Sequence, residues 1–547
     1  MAPELEESYG VCSTLEERKR SNYLEDCERG WIVQKFGGTS IGKFANNIAQ
    51  DITQRVISRI KYSRYEANLA FGRNGLEKSN IAVVCSARSS GKKVEGTTSR
   101  LLEILDLLRV ANSTKDRDSW QYEKITNQYE NLVRLICEDH IKAAQREIRD
   151  LNILSDLIKN IESECKEIFD YRIAAERWKL EINERTKDRM VSFGEKLSCQ
   201  FLVAILEDRD VEAEVVDLAD IIPPKVSKSV GWDLYRKLTD IFRERVFACG
   251  NRVPVITGFF GPVLGGLIDG DIGRGYTDLC ASLVAVGLKA DELQIWKEVD
   301  GIFTADPSKV PTARLLPSIT PSEAAELTFY GSEVIHHLTM DQVINAEPPI
   351  QIRIKNVKKP RGDGTIILSE RKLCTRPLSH SRNPSLDSTR NIPRRPTAVT
   401  IKDEITVINV HSNKRSRSHG FFAKVFSILD KLHVSVDLIS TSEVHVSLAI
   451  HTASTSREDL NQAIIELQDC GEVSTRDHMS ILSLVGAEMR NMIGVAGKMF
   501  VTLGDSNINI EMISQGASEI NISCVISAKE AKRAMSILHT NFFTFLE

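Results

Sequence analysis

Two short stretches of this chain carry residue types and spacings suited to chemistry on a phosphorylated ligand. In the first, the apolar run Trp31-Ile32-Val33 leads through Lys35-Phe36 into Gly37-Gly38 and then Thr39-Ser40. Paired glycines between a strand and a helix leave backbone N–H groups and a positive helix end pointing at an anion. Lys35 precedes the glycines, whereas in the G-x-x-x-x-G-K-[ST] loop the lysine follows them, so this is a phosphate cradle of a different kind. The second stretch is Gly273-Arg274-Gly275-Tyr276-Thr277-Asp278. Its glycines let backbone approach a ligand closely while the guanidinium forks a carboxylate. Asp278, at the start of a helix, either orients a substrate or simply caps the helix.

A third group lies in Ser192-Phe193-Gly194-Glu195-Lys196-Leu197. Read as Gly then Glu opening a helix, it puts a carboxylate beside the positive helix end. Glu195 there binds a substrate ammonium or is a plain first-turn charge. Taken together, the three stretches suggest an amino acid held beside a nucleotide. Lys35 stabilises charge on the transferred phosphoryl group, Glu195 takes an α-ammonium and Arg274 an α-carboxylate. An acceptor that is itself a carboxylate is already ionised at pH 7. No general base is then needed, and catalysis reduces to positioning and charge neutralisation.

The elements that position these residues are legible as an alternation of strands and helices. Ile81-Ala82-Val83-Val84-Cys85-Ser86, Val253 to Phe259 and Glu292 to Trp296 are short continuous apolar runs, as buried parallel strands are. Such a pattern predicts an α/β sheet with ligands at the carboxyl ends of its strands. The stretch from about 112 to 188 is charged, helix-favouring and nearly free of Gly and Pro, with Leu154, Leu157, Ile158 and Ile161 at helical spacing. It reads as a helical insertion. Residues 375–396 hold four prolines among Ser, Arg and Asn, which marks a linker or exposed loop.

At 547 residues the chain exceeds one core, and its 42% hydrophobic and 27% charged content is that of a globular protein. A net charge of −4 argues against nucleic-acid or membrane partners. There is no apolar run of membrane-spanning length. The first thirty residues are acidic, unlike a signal or transit peptide, and read as a mobile tail. Eleven scattered cysteines with no C-x-x-C pair suit a reducing cytoplasm.

After Thr397 the sequence passes twice through one pattern. The first pass predicts a strand (405–411), a helix (421–432), strands (434–440 and 444–450) and a helix (457–467). The second predicts a strand (480–485), a helix (495–503), strands (508–514 and 519–526) and a helix (528–540). Val436-Asp437-Leu438-Ile439-Ser440 answers to Ile510-Glu511-Met512-Ile513-Ser514. Two copies of a small α+β module follow. The last strand of the second copy has only residues 542–546 to draw on.

At this point the chain resembles the aspartokinases, most closely the fungal ones. The matching phrases are Lys35–Ser40, Val84-Cys85-Ser86-Ala87-Arg88, Gly96-Thr97-Thr98-Ser99-Arg100, Ser192–Leu197, Gly273–Asp278, Trp296-Lys297-Glu298-Val299-Asp300-Gly301-Ile302-Phe303-Thr304-Ala305-Asp306-Pro307 and Ile439-Ser440-Thr441-Ser442-Glu443. The ordered set runs from about Trp31 to the C-terminus. The resemblance implies an amino-acid-kinase fold, a mostly parallel central sheet sandwiched by helices, followed by two α+β ACT modules. The division it implies is an acidic tail (1–30), a catalytic domain (31–370), a linker (371–397), and ACT modules at 398–478 and 479–547.

It further implies ATP-dependent phosphorylation of the L-aspartate side-chain carboxylate to 4-phospho-L-aspartate. That is the first step toward threonine, methionine and isoleucine. Carried over by position, Lys35, Gly37, Gly38, Thr39 and Ser40 contact phosphates, with Ser86 nearby. Glu195, Arg274, Thr277, Asp278, Phe259 and Thr98 hold aspartate, and Lys297, Glu298 and Phe303 flank the nucleotide. Mg²⁺ is carried mostly by ATP phosphates, with no dedicated protein cage. His336 keeps a family position, or is a packed core histidine.

The ACT pair in such kinases binds an end product, and here threonine is the expected effector. Ser418, Phe421, Phe422, Val436, Asp437, Ser442 and Glu443 occupy the contact positions, and a homo-oligomer through these modules is expected. N–H groups near Phe421 and Phe422 suit the effector carboxylate, and Asp437 or Glu443 its ammonium. Three positions depart from the pattern: Ser308 and Glu333, where basic residues are common, and His337 in place of proline. These departures leave a second reading, a catalytically weak amino-acid sensor. A third is a kinase of the same fold acting on glutamate or a carbamate.

Overall fold

The computed structural model describes residues 30–65, 80–89, 96–114, 116–219, 221–223, 231–261, 275–331, 335–368, 395–412, 420–453, 455–516 and 520–544. Arg274, Glu333 and Ser418 lie outside the described residues, as do nearly all of the acidic tail and the greater part of the expected linker. The chain divides into two compact units. The first comprises residues 1–300 and 336–366, and the second residues 301–335 and 367–547. Residues 301–335, expected within the catalytic domain, thus group with the C-terminal modules.

In the first unit, strands β1 (Trp31–Phe36), β2 (Asn80–Cys85), β3 (Ala213–Val216), β4 (Val253–Thr257), β5 (Glu292–Lys297) and β7 (Gln351–Asn356) follow one another in the order β3-β4-β2-β1-β5-β7, and β8 (Thr365–Ile367) continues the sheet beside β7. Every pairing among the first six is parallel. Helices α1 (Gly38–Tyr65), α2 (Thr97–Ser113), α3 (Trp120–Glu147), α4 (Leu151–Trp178), α5 (Glu184–Glu207), α6 (Gly231–Phe247), α7 (Tyr276–Gly287) and α9 (His337–Ile344) accompany it.

Helix α1 shows why the sheet holds. Ile41, Ala45, Ile48, Ala49 and Ile52 recur at three- and four-residue spacing, all are buried, and all join one core with Phe36, Ile81, Val83 and Leu101. Full burial of each isoleucine is worth about 1.5–3 kcal/mol. The charged stretch after Asn112 forms α3 and α4. Ser119 and Asp150 cap their N-termini by accepting backbone N–H bonds. Tyr129, Val133, Ile136, Leu157, Ile161 and Ile168 of these helices are buried in the same core.

The second unit holds β6 (Ser318–Ile319), α8 (Pro321–Phe329), and the six-stranded sheet β10-β11-β9-β12-β14-β13. Its strands are β9 (Ala398–Ser412), β10 (Leu438–Thr441), β11 (His445–His451), β12 (Gly471–Val485), β13 (Met512–Ser514) and β14 (Asn521–Ser527), paired antiparallel. Helices α10 (Phe421–Lys431) and α11 (Arg457–Leu467) pack on Ile408, Val410, Val446 and Leu448. Helices α12 (Val495–Asp505) and α13 (Ala528–His539) pack on Ile401, Leu482, Leu484 and Cys524.

The repeated pattern is present, but its closure differs from expectation. Residues 540–544 form a π-helical turn, with Phe542 and Phe543 buried, and not a strand. The second module takes its remaining strand from the beginning of β9, where Ala398 to Lys402 pair with Val485 to Ile481. The end of β9 serves the first module, through His411–His445 and Ser412–Gly471 pairing. Both long strands bend where the modules meet. Glu404 and His478 have φ of 58° and 59°, and the β9–β12 register shifts between Arg476 and Met479. A second difference is that the strand expected from Val434 begins only at Leu438.

Candidate active site

The parallel register aligns the carboxyl ends of β1, β2 and β4. Ser86 N–H donates to Phe36 O (3.1 Å), and Gly258 N–H donates to Cys85 O (3.1 Å). Side chains that follow these ends meet there. Lys35 Nζ lies 2.7 Å from Asp278 Oδ1, both side chains being 14% exposed. Thr277 Oγ1 donates to Glu195 Oε1 (3.2 Å) and shares a hydrogen bond with Ser86 Oγ (2.9 Å). Phe259 N–H donates to Glu195 Oε2. Lys35, Asp278, Thr277, Ser86 and Glu195 thus form one connected group, drawn from β1, α7, the residue after β2, and α5.

Glu195 is fully buried. Burial raises its carboxyl to about 7, against the lowering effects of the Phe259 amide, the Tyr276 and Thr277 side chains and the Lys35 charge. It is not at a helix start, as the sequence suggested. Helix α5 begins eleven residues earlier, capped by Asn183, and Gly194 is internal to it. Gly194 is there for packing: a Cβ at that position would lie 2.9 Å from Ala87 Cβ and 3.2 Å from Thr97 Cγ2. Glu195 is thereby held against the loop after β2.

The two glycines of the first motif have different roles. A Cβ on Gly38 would stand 2.0 Å from Ala87 O, and Ser89 N–H donates to Gly38 O (3.0 Å), so Gly38 is fixed by close backbone packing. A Cβ on Gly37 would meet nothing within 4 Å. Ser40 is buried and Thr39 half-buried at the start of α1.

Asp278 is not the helix cap. That position belongs to Gly275 (φ 101°), and Asp278 sits in the first turn with its carboxylate on Lys35. His336 is half-buried, and its ring fills the space beside Gly275, where a Cβ would stand 2.8 Å from His336 Cδ2. Thr98 is the second residue of α2, after Thr97, whose hydroxyl donates to Arg88 O (2.7 Å). The Phe259 side chain is buried, and its contribution to the group is its amide. Lys297 closes β5, and Glu298 lies 3.9 Å from Lys358 Nζ. Phe303 belongs to the second unit, where it bridges to Leu315.

Two contributors escaped the sequence reading. Tyr276 hydrogen-bonds Glu195, and Gly258 leaves room for Thr277, whose Cγ2 would be 2.4 Å from a Cβ there. The signal for both was adjacency to motif residues: Tyr276 between Gly275 and Thr277, Gly258 at the end of an apolar strand.

Of the expected effector residues, Phe421 is buried at the start of α10 and Phe422 is exposed. Val436 is partly buried, and Ser442 and Glu443 lie in the exposed β10–β11 hairpin, where Ser442 N–H donates to His445 O (2.9 Å). Asp437 is already paired: Lys402 Nζ lies 2.6 Å from its Oδ1 and over the Phe329 ring at 4.7 Å.

A lysine and an acid at the mouth of a two-glycine bend, with a second acid buried alongside, suit a kinase acting on a small amino acid. The model of the amino acid kinase family matches residues 30–356, and that of the ACT domain residues 482–542. An aspartate kinase of Gibberella fujikuroi is 52% identical over 94% of this chain and 98% of its own length. The aspartokinase of Saccharomyces cerevisiae is 46% identical over 94% of this chain and 93% of its own length. Among solved structures, Escherichia coli aspartokinase III in complex with aspartate and ADP matches with a TM-score of 0.63 at 25% identity, over 94% of this chain and 99% of that one. The chain belongs to the amino acid kinase family, among the aspartokinases of the fungal type, and is an enzyme that phosphorylates aspartate. Among the described residues no helix is long and apolar enough to cross a membrane.

Proposed function

We propose that the connected group at the strand ends transfers the γ-phosphoryl of ATP to the side-chain carboxylate of L-aspartate, giving 4-phospho-L-aspartate. The reading rests on one observation: Lys35 is within ion-pair distance of Asp278, and the neighbouring Thr277 joins buried Glu195 to Ser86. Lys35 neutralises charge on the phosphoryl group in flight, and Asp278 holds its ammonium in place. The backbone at Gly37, Gly38, Thr39 and Ser40 cradles phosphate, and the open space at Gly37 leaves room for it. Glu195 takes the aspartate ammonium. Thr277, Thr98, Phe259 and Arg274 complete the pocket, with Arg274 on the α-carboxylate. Lys297 and Glu298 flank the nucleotide.

Mg²⁺ fits this site as an ion carried on the nucleotide. Such ions keep several waters and need only one or two carboxylates, and Asp278 is within reach of the phosphate loop. It supplies charge neutralisation on the phosphates, and the protein groups supply position.

We also read residues 398–547 as a regulatory pair whose effector is threonine, acting in a cytoplasmic homo-oligomer at the entry to threonine, methionine and isoleucine synthesis. Escherichia coli aspartokinase III has been solved in complex with lysine and aspartate (TM-score 0.64, 25% identity), so an amino-acid effector has precedent on this architecture. Glu443, exposed, takes the effector ammonium, and Asp437 does so only by releasing Lys402. Purified chain with ATP, Mg²⁺ and aspartate should yield an acyl phosphate trapped by hydroxylamine, in smaller amount when threonine is added. No trapped product from folded protein refutes the catalytic reading, and identical rates with and without threonine refute the effector.

A further inference from the structure

Strands β5 and β7 carry a polar face that the catalytic group does not use. Leu293, Ile295, Ile352 and Ile354 point one way and are buried. Glu292, Gln294, Arg353 and Lys355 alternate with them and point the other way. A solvated sheet face would explain such alternation, but these side chains are not solvated. Glu292 is 1% exposed and Lys355 7%. They line a solvent-open cavity of about 470 Å³, bordered also by Arg55 of α1 and the loop from Pro360 to Asp363.

Three acids line this cavity; Asp363 is on the exposed rim, and the other two are already committed. Glu292 accepts from Gln294 (2.7 Å), Gln351 (2.7 Å) and Arg353 Nε (2.9 Å). Asp51 accepts from Arg55 (2.8 Å) and Gln34 (3.2 Å). Lys355 has no such partner: among the described residues no carboxylate lies within ion-pair distance of it, and its ammonium sits 4.9 Å from the Trp296 ring centre. Burial and then the Arg55 charge hold it below the usual lysine range. Asp51 and Glu292 offset part of this from beyond ion-pair distance, and an anion in direct contact with Lys355 would offset more.

The wall bearing Arg361 is fixed in place. Arg353 Nη1 donates to Asp363 O (2.9 Å), and Gly364 (φ 69°) packs where a Cβ would lie 2.0 Å from Ile354 O. Volume, apolar walls at Ile32 and Ile81 and several cations are the features of a small-molecule pocket.

We propose that this cavity is a second ligand site, taking a small organic anion whose carboxylate or phosphate pairs with Lys355, flanked by Arg55 and Arg361. Its lining side chains share the face of Ile32, Glu292, Gln294 and Arg353, whereas Lys35 is in register with Ile295 on the opposite face of the sheet. The site therefore stands or falls independently of the catalytic assignment.

The test is calorimetric titration of the full chain in a Lys35→Ala background, which removes the phosphate-loop cation. Inorganic phosphate and malonate are added separately at constant ionic strength. Saturable millimolar or tighter binding of either anion is expected, phosphate alone indicating a phosphorylated ligand and malonate alone a carboxylate. Lys355→Gln should weaken it about tenfold, as loss of one charged contact does. Arg361→Gln, on an exposed loop, should weaken it several-fold and decides the matter if Lys355→Gln does not fold. Absence of saturable binding by both anions, or affinity unchanged in the variants, overturns the proposal.

Discussion

Aspartate affinity should depend on pH through Glu195. Its carboxyl is raised to about 7 by burial, so near neutrality a large share of the free protein carries a proton there. An ammonium ligand pairs with the carboxylate, so binding must expel that proton. Aspartate itself keeps one charge state between pH 6 and 8. The competent fraction of the site rises from roughly one in eleven at pH 6 to roughly ten in eleven at pH 8, so the dissociation constant should fall about tenfold, or about 1.4 kcal/mol.

The effect on stability has the opposite sign. A carboxyl raised in the folded state binds more protons folded than unfolded between pH 4.5 and about 7. Its contribution therefore worsens as pH climbs through that window and levels off above it, by an amount on the order of 3 kcal/mol. Calorimetric titration of aspartate at pH 6, 7 and 8, in two buffers of different ionisation enthalpy, measures both the affinity and the released proton. Glu195→Gln should bind weakly at every pH, with no proton release, and should resist urea better than the parent at pH 8. Equal parental affinity at pH 6 and pH 8 would refute the assignment of Glu195 to the ammonium.

Three further outcomes are expected. Lys35→Ala should lower kcat by about a thousandfold or more, as loss of a charge-stabilising donor does, with an unchanged circular dichroism spectrum; an unchanged kcat sinks the role. Gly37→Ala should fold and raise the KM for ATP, whereas Gly38→Ala, facing Ala87 O at 2.0 Å, should give little soluble protein; equal behaviour of the two would contradict the division of labour at the bend. Glu443→Ala should lose threonine inhibition while keeping kcat, checked by inhibition curves on parent and variant.

Much of this molecule could be read from sequence because its signals are local. The strands at Trp31, Ile81, Val253 and Glu292 are continuous apolar runs, and each is a strand within a residue or two of expectation. The misreadings arise where a distant contact decides. Gly194 looked like a helix start because glycine usually breaks helices. It is internal because only glycine fits against Ala87 and Thr97, over ninety residues away in the chain. The closing strand of the second module was sought at residues 542–546, yet it is supplied by residues 398–402, at the start of the stretch expected to form the first module. Asp437 read as a free acid, and its partner Lys402 is brought to it by sheet pairing that no periodicity reveals.

Chain continuity adds one more argument about regulation. Lys297 ends β5, and at Gly301 the chain enters the second unit, which it leaves at Ile335. The next residue, His336, has its ring against Gly275, immediately before Tyr276, Thr277 and Asp278. Between those points the arm is bound tightly to the second module. Thr304 Oγ1 is 2.8 Å from His539 Nε2, Val399 N–H donates to Thr304 O (2.8 Å), and Glu323 caps α8 while accepting from Ala487 N–H (2.8 Å). The two covalent ends of this arm are the strand end bearing Lys297 and the histidine whose ring lies beside Gly275. An effector with unequal affinity for two arrangements of the modules shifts their balance by that difference alone.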